Sequence, residues 1–299
     1  MTTSPSYFLL LIPILPLCLL FLLFLIVRPR PSRIPIKDRH VFITGGSSGI
    51  GLALARQVAA EGARVSILAR SRKRLEEARE AIRLATGVEV TIFSADVRDA
   101  EEVARAIEEA GPIDVLVCNQ GVFVPQELEK QELEEVKFMV DVNLMGTFHL
   151  IKAALPAMKR RTRETGLPAS ITLMSSQAGQ DYHVHLINLF CGFVFLSAEQ
   201  KRRPELTKII AGSSGGMKAD DVAKVSLNGI KYGRFIIPCN FEGTMIAIAT
   251  AGLSPQSSFM TAFIEVVGAS FMRLVGLFFQ WNWFSSIEKW QAKSSHKLK

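Results

Sequence analysis

The first chemical signal in the chain is the run Thr44-Gly45-Gly46-Ser47-Ser48-Gly49-Ile50-Gly51. Glycines so placed let a chain turn tightly and bring its backbone close to a ligand. A helix starting there offers unpaired N–H groups, so the chemistry is the cradling of a pyrophosphate. The spacing is TGxxxGxG and not GxGxxG, but the physics is the same. A ligand-free turn would also use glycine; the apolar strand before the run and the amphipathic stretch after it favour the dinucleotide. The residue closing the next strand separates NAD from NADP, because an acid accepts a ribose 2′-OH whereas an arginine pairs with a 2′-phosphate. Here that residue is Arg70, followed by Arg72, Lys73 and Arg74, with no carboxylate before Glu76. This predicts NADPH, against the plainer role of such a basic run as a solvated helix start.

The same glycines also spell G-x-S-x-G, with Ser47 where an α/β-hydrolase nucleophile would stand. That chemistry needs an acid, a histidine and an oxyanion loop downstream. His149, His183, His185 and His296 are available, but no such loop motif accompanies them, so the hydrolase ranks below the dinucleotide binder. His183 and His185 alternate as on a strand face and lack a third metal ligand. Cys18, Cys118, Cys191 and Cys239 form no C-x-x-C pair, which points to neither zinc nor a disulfide framework. No metal site is predicted.

Alternating elements must position these residues. HVFIT (40–44) is a β-branched strand leading into the glycine run, and LALARQVAA continues as a helix stopped by Gly62. RVSILAR (64–70) is a second strand. A helix capped by Ser71 follows, with Leu75, Ala78, Ile82 and Ala85 on one face and Gly87 at its end. VEVTIFSADV is a third strand, and Asp99 caps a helix bearing Val103 and Ile107. IDVLVCN (113–119), a helix from about Glu132 to Lys159, and SITLMSS (170–176) extend the rhythm. Alternation of this length builds a parallel sheet with helices on both faces.

The ends have another character. Tyr7 to Val27 carries no charge over 21 positions, enough to cross a hydrocarbon core, and no cleavage site closes it. The net charge of +7 includes Arg28, Arg30, Arg33, Lys37 and Arg39 directly after this run, a membrane flank and not a nucleic-acid stripe. The positive-inside rule then places the following domain on the cytosolic side. Past an amphipathic helix in MKADDVAKVSLNGIKYG, residues 235–290 are strongly apolar. Phe259 to Phe284 is long enough to span but holds Glu265 and Arg273, so an interfacial or embedded hairpin is expected there, with a cap on the soluble domain as the alternative.

TGGSSGIG, ADV (95–97), NQG (119–121), VNLMG (142–146) and LMSSQAGQ (173–180), in this order, resemble the short-chain dehydrogenases. From its apolar anchor to WNWFSSIEKW (281–290) the chain is similar to plant-type 3-ketodihydrosphingosine reductases, except over about 181–200. The resemblance implies a Rossmann-like, doubly wound α/β fold and NADPH-dependent reduction of a long-chain keto-base lipid, 3-ketosphinganine, to sphinganine. It implies an endoplasmic reticulum membrane location; the absence of a basic, aromatic-interleaved stripe argues against a nucleic-acid partner, and a homo-oligomer is left open. The resemblance further implies that Gly45, Ser47, Ser48, Gly49 and Gly51 line the cofactor, with Arg70 and Arg74 at the 2′-phosphate, Asp96 at the adenine and Asn119 near the ribose. Asn143 would hold a water of the proton relay, and Ser176 would hydrogen-bond the substrate carbonyl. The family motif carries alanine where this chain has Gln120.

One part of the pattern is missing. The family's proton donor is a tyrosine thirteen residues past the serine, with a lysine four further on, and here those places hold Leu189 and Phe193. Of the three tyrosines, Tyr7, Tyr182 and Tyr232, none is followed four residues later by lysine. Tyr182 is the nearest substitute, with an unlowered pKa of about 10. The organisation expected is a tail (1–6), an anchor (7–27), a basic linker (28–39), a dehydrogenase domain (40–234, atypical over 181–200) and a hydrophobic, membrane-associated region (235–299). A non-catalytic, membrane-tethered nucleotide binder is the alternative function.

Overall fold

The computed structural model describes residues 6–27, 32–126, 128–176, 216–256 and 258–297. They fall into two compact units, one of Arg33–Gly233 and one combining Met1–Ser32 with Arg234–Lys299.

The Arg33–Gly233 unit is built on a parallel sheet in the order β3-β2-β1-β4-β5: β1 (His40–Thr44), β2 (Arg64–Ala69), β3 (Thr91–Ser94), β4 (Val115–Cys118) and β5 (Ser170–Leu173). The rich Val, Ile and Leu content of β1 and β4 reflects burial on both faces, and every residue of these two strands is buried. Helices α2 (Gly49–Ala60), α3 (Arg72–Thr86) and α4 (Ala100–Ala110) connect the strands. The Ser71 hydroxyl accepts the Arg74 N–H, and the Asp99 carboxylate accepts those of Glu101 and Glu102, so both sequence caps satisfy first-turn donors. Leu75, Ala78 and Ile82 bury the stripe of α3, which ends on left-handed Gly87. Ala85, expected on that stripe, is exposed in the last turn.

The helix expected from about Glu132 to Lys159 runs continuously over Leu133–Thr165, as α5 (Leu133–Val140) and α6 (Gly146–Thr165) with a π turn over Asp141–Met145 between them. There the Gly146 N–H reaches back five residues to the Asp141 carbonyl. Leu150, Ala154 and Met158 pack α6 into a core with Phe42, Phe93 and Leu116. Strand β5 is less covered: Leu173 is exposed and the other three residues are half-buried. Among the described residues β5 pairs only with β4.

At the strand-entry end of the sheet, Asp114 is buried and binds both the Arg39 guanidinium (3.0 Å) and Arg161 Nε (2.5 Å), while accepting the His40 N–H (2.9 Å). Burial raises the Asp114 pKa, but the hydrogen bonds from Arg161 and His40 and the Arg39 charge outweigh it and hold the carboxyl below its usual range. Burial also pushes His40 down to about 4, so its ring is neutral. Helix α7 (Ala219–Lys231) closes the unit against α2 through Ala223, Leu227 and Ile230, with Lys231 paired to Glu61 at 2.8 Å.

The other unit comprises α1 (Ser6–Ile26), α8 (Phe241–Ala249) and α9 (Phe259–Lys297). Phe24 of α1 meets Phe259 of α9 at 5.4 Å between ring centroids, beside buried Leu23 and Ala262. No turn interrupts α9. The hairpin expected around Glu265 and Arg273 is one helix of 39 residues, in which the Glu265 carboxylate takes a hydrogen bond from Gln256 Nε2. Leu17, Phe21, Phe271, Leu274, Phe278 and Trp281 are exposed, an apolar surface larger than a water-facing unit ordinarily carries. Among the described residues, the helical stretches Leu133–Thr165 and Phe259–Trp290 are long and apolar enough to cross a membrane by length and composition; the first is α5 with α6, which serves the sheet core.

Candidate functional site

The strand order reverses between β1 and β4, and in an open parallel sheet the crevice at such a reversal, beyond the strand ends, is where ligands sit. The glycine run emerges there. Gly45 has φ +63°, a left-handed backbone costly for other residues. At Gly51 the restriction is space: a Cβ would lie 2.4 Å from the Gly45 carbonyl oxygen and 2.5 Å from Asn119 Nδ2. The first turn of α2 therefore rests directly on the crevice floor. Ser48 precedes α2 in an extended conformation and makes no side-chain cap, so the N–H groups of that turn have no side-chain acceptor. Ser47, Ser48 and Gly49 are half-buried at the same mouth.

Arg70 follows β2, and Arg74 lies one turn into α3; both are exposed. Neighbouring Arg72 is occupied by Glu76 at 2.8 Å, whereas Arg70, Lys73 and Arg74 make no ion pair among the described residues. Uncapped N–H groups beside guanidiniums that make no ion pair suit a phosphate-bearing dinucleotide. Asp96 follows β3, and its carboxylate is gripped by Arg98 (2.7 Å), whose hydrogen bond holds the Asp96 pKa below the usual range. Arg98 also lies 5.2 Å from the Phe138 ring centroid. Asp96 therefore reaches the crevice already engaged by a cation, an arrangement its sequence motif does not announce.

Asn119 leaves β4 with its side-chain N–H donating to the Thr44 (3.1 Å) and Gly45 (3.4 Å) carbonyls, which fastens the glycine run to the neighbouring strand. Asn143 sits in the π turn, a feature frequent at functional sites. Its carboxamide brackets the Val122 backbone, accepting the N–H at 2.8 Å and donating to the carbonyl at 2.9 Å. Its own main-chain carbonyl accepts the Thr147 hydroxyl at 2.8 Å. Ser176 lies three residues beyond β5, half-buried. The fold thus brings the glycine run, Asn119 and Asn143 to one crevice, with Arg70, Arg74 and Asp96 on the β2–β3 side and Ser176 on the β5 side.

The sequence assigns no role to Thr44, Gln120 or Thr147. Thr44 Oγ1 accepts the N–H of Asn119 (2.9 Å) and of Gln120 (3.2 Å), and the Gln120 carboxamide donates to Thr147 Oγ1 (2.8 Å). The only hint was a glutamine where the motif usually has alanine. Cys118, at the end of β4, is buried and its thiol is pushed up to about 12, which removes it as a nucleophile. His149 Nδ1 lies 2.9 Å from the Val97 carbonyl oxygen, a bond that ties its ring to the chain after β3. Tyr182, His183, His185, Leu189 and Phe193 lie outside the described residues.

The chain matches the family model for short chain dehydrogenase over residues 39–188. It is 56% identical to the 3-dehydrosphinganine reductase TSC10A of Arabidopsis thaliana over 300 aligned positions, covering 89% of this chain and 90% of that protein. Identity to TSC10B of the same plant is 52%, covering 94% and 93%. The 3-ketodihydrosphingosine reductase of Bos taurus is 24% identical, covering 91% of each. Among solved structures, L-sorbose reductase from Gluconobacter frateurii complexed with NADPH and L-sorbose is 30% identical at a TM-score of 0.46, covering 53% of this chain and 60% of that one. In the first comparison, 89% of 299 residues is about 266, so about 34 of the 300 aligned positions stand opposite no residue here. With TSC10B, 94% is about 281 of 314 positions, leaving about 33. The family match ends at residue 188, one short of Leu189.

Proposed function

The chain belongs to the short-chain dehydrogenase family, and on that footing we propose that it is an NADPH-dependent 3-dehydrosphinganine reductase of sphingolipid biosynthesis. The observation carrying this is the 56% identity to such a reductase over 89% of the chain. When bound, the nicotinamide dinucleotide supplies the hydride. The residues of the chain do the rest. The first turn of α2 receives the pyrophosphate, Arg70 and Arg74 hold the 2′-phosphate and so select NADPH, Asn119 orients the ribose side, and Ser176 donates to the ketone oxygen.

What the chain lacks is the acid that neutralises the alkoxide left by hydride arrival. Leu189 and Phe193 occupy the places of the tyrosine and lysine, and each of two close relatives carries about 33 or 34 positions with no counterpart here. A positioned general acid is worth about 10²–10⁴-fold, so turnover is that of a crippled reductase unless another donor reaches the carbonyl. The uncharged run of α1, its basic flank and the exposed apolar surface of α9 support attachment to the endoplasmic reticulum membrane, with the dehydrogenase unit in the cytosol beside its long-chain substrate. Calorimetric titration of the full chain in lipid nanodiscs tests the reading. NADPH should bind at least about tenfold more tightly than NADH, as paired phosphate contacts imply; equal affinities would remove the case for NADPH.

A further inference from the structure

We propose that Gln120 is a positioning residue of the dinucleotide site, setting a directed hydrogen-bond chain from the end of β1 to the Asn143 turn; this rests on the dinucleotide reading above. The direction follows from counting valences. Thr44 Oγ1 accepts two N–H groups, from Asn119 at 2.9 Å and Gln120 at 3.2 Å, which uses both its lone pairs. Its one proton can go to the Val117 carbonyl at 3.3 Å or to Gln120 Oε1 at 2.5 Å, and the shorter contact takes it. With the carboxamide oxygen so fixed, Nε2 faces Thr147 and donates to its hydroxyl at 2.8 Å. That hydroxyl donates onward to the Asn143 carbonyl at 2.8 Å.

Every donor in the chain therefore points the same way, a cooperative arrangement. It ties together three pieces of the crevice: the strand end before the glycine run, the segment carrying Asn119, and the junction of the π turn with α6. The alanine usual in the family motif could do none of this. It would leave the Thr44 proton to the longer Val117 contact and Thr147 without a donor. Asn119 supports the Gly45 carbonyl only while its own backbone is held, so the strut fixes the floor on which the cofactor rests.

Glutamate at this position gives a readout that a merely structural role would not move. Ionised, it accepts from Thr44 but cannot donate to Thr147; protonated, it does both. The probe is NADP+, which tolerates acid, titrated into the full chain in nanodiscs at about pH 4 and about pH 8, which straddle the ordinary glutamate pKa of about 4.3. Gln120→Ala should weaken binding relative to the unaltered chain by about tenfold at both pH values, the worth of one or two hydrogen bonds. Gln120→Glu should approach the unaltered chain at about pH 4 and fall to the alanine variant at about pH 8, reversibly, which a misfolded variant could not do. Binding by the unaltered chain that ignores residue 120, or a glutamate variant whose deficit is independent of pH, overturns the proposal alone. Failure of the unaltered chain to bind NADP+ overturns the dinucleotide reading and the proposal with it.

Discussion

Gly51→Ala adds one methyl group at the tightest point of the crevice. The new Cβ would stand 2.4 Å from the Gly45 carbonyl oxygen and 2.5 Å from Asn119 Nδ2, with the Gly45 carbonyl carbon at 2.9 Å. Ordinary contact begins about 1 Å further out, where carbon meets its neighbours without overlap. Neither side yields easily: the Gly45 atoms are backbone, and the Asn119 amide is bonded to the Thr44 and Gly45 carbonyls. Helix α2 must shift off the strand ends. Overpacking of this kind costs about 1–3 kcal/mol, and immobile neighbours put this site at the upper end. For a unit of this size a loss near 2–3 kcal/mol lowers Tm by about 5–10 °C. The shift also spoils the turn that receives the pyrophosphate, so NADP+ affinity should fall by more than about tenfold, in line with the loss of oriented N–H contacts. Gly87→Ala is the control. It meets nothing within 4 Å but keeps a φ of +73°, so it should cost about 1 kcal/mol of stability and leave affinity unchanged. Differential scanning fluorimetry with NADP+ titration separates the two. Wild-type affinity in Gly51→Ala would refute the close-approach argument.

Arg70→Glu reverses a charge beside the expected 2′-phosphate; at roughly 1 kcal/mol per unit-charge pair near 4 Å in water, NADPH binding should weaken by about 30-fold or more while NADH changes by less than about threefold in the same titration. For pH, the folded His40 pKa of about 4 lies below its unfolded value near 6.5, so the unfolded chain takes the proton first and stability falls as pH drops through that window. Unfolding free energies from urea titrations between about pH 7 and pH 4 should fall by up to a few kcal/mol with pH, and the slope should flatten in His40→Gln. Asp114 is held by two guanidiniums, so Asp114→Asn should destabilise the unit by about 3–5 kcal/mol in the same urea assay, with a loss below about 1 kcal/mol counting against the buried network. If α1 and α9 sit in lipid, the chain should stay in the pellet on alkaline carbonate extraction; release to the supernatant would contradict the membrane reading.

The parts of the site that were legible in sequence are those set by neighbours along the chain. The glycine run, the caps at Ser71 and Asp99, and Arg70 after β2 each depend on a few adjacent residues, and each stands where spacing put it. What sequence hid depends on how distant segments come into register. Gln120 and Thr147 are 27 positions apart, and Arg39 and Asp114 meet only because β1 and β4 are neighbours in the sheet. The π turn at Asp141–Met145, inside the continuous helix of α5 and α6, has no propensity signature and went unread. In the apolar region, Glu265 and Arg273 suggested a hairpin, whereas α9 runs unbroken past both, with Gln256 from the preceding segment donating to Glu265.

A reductase fold without its proton donor should turn over its ketone poorly, and turnover compared with and without that donor decides the matter. The unaltered chain and a version with the family's Tyr-x-x-x-Lys helix restored after Gln180 would be expressed in microsomes, and the reduction of 3-ketosphinganine with NADPH measured in both. Restoration should raise the rate by about 100-fold or more, the usual worth of a positioned general acid. Equal rates in the two would contradict this, and would mean that some other group of this chain, Tyr182 first, already delivers the proton.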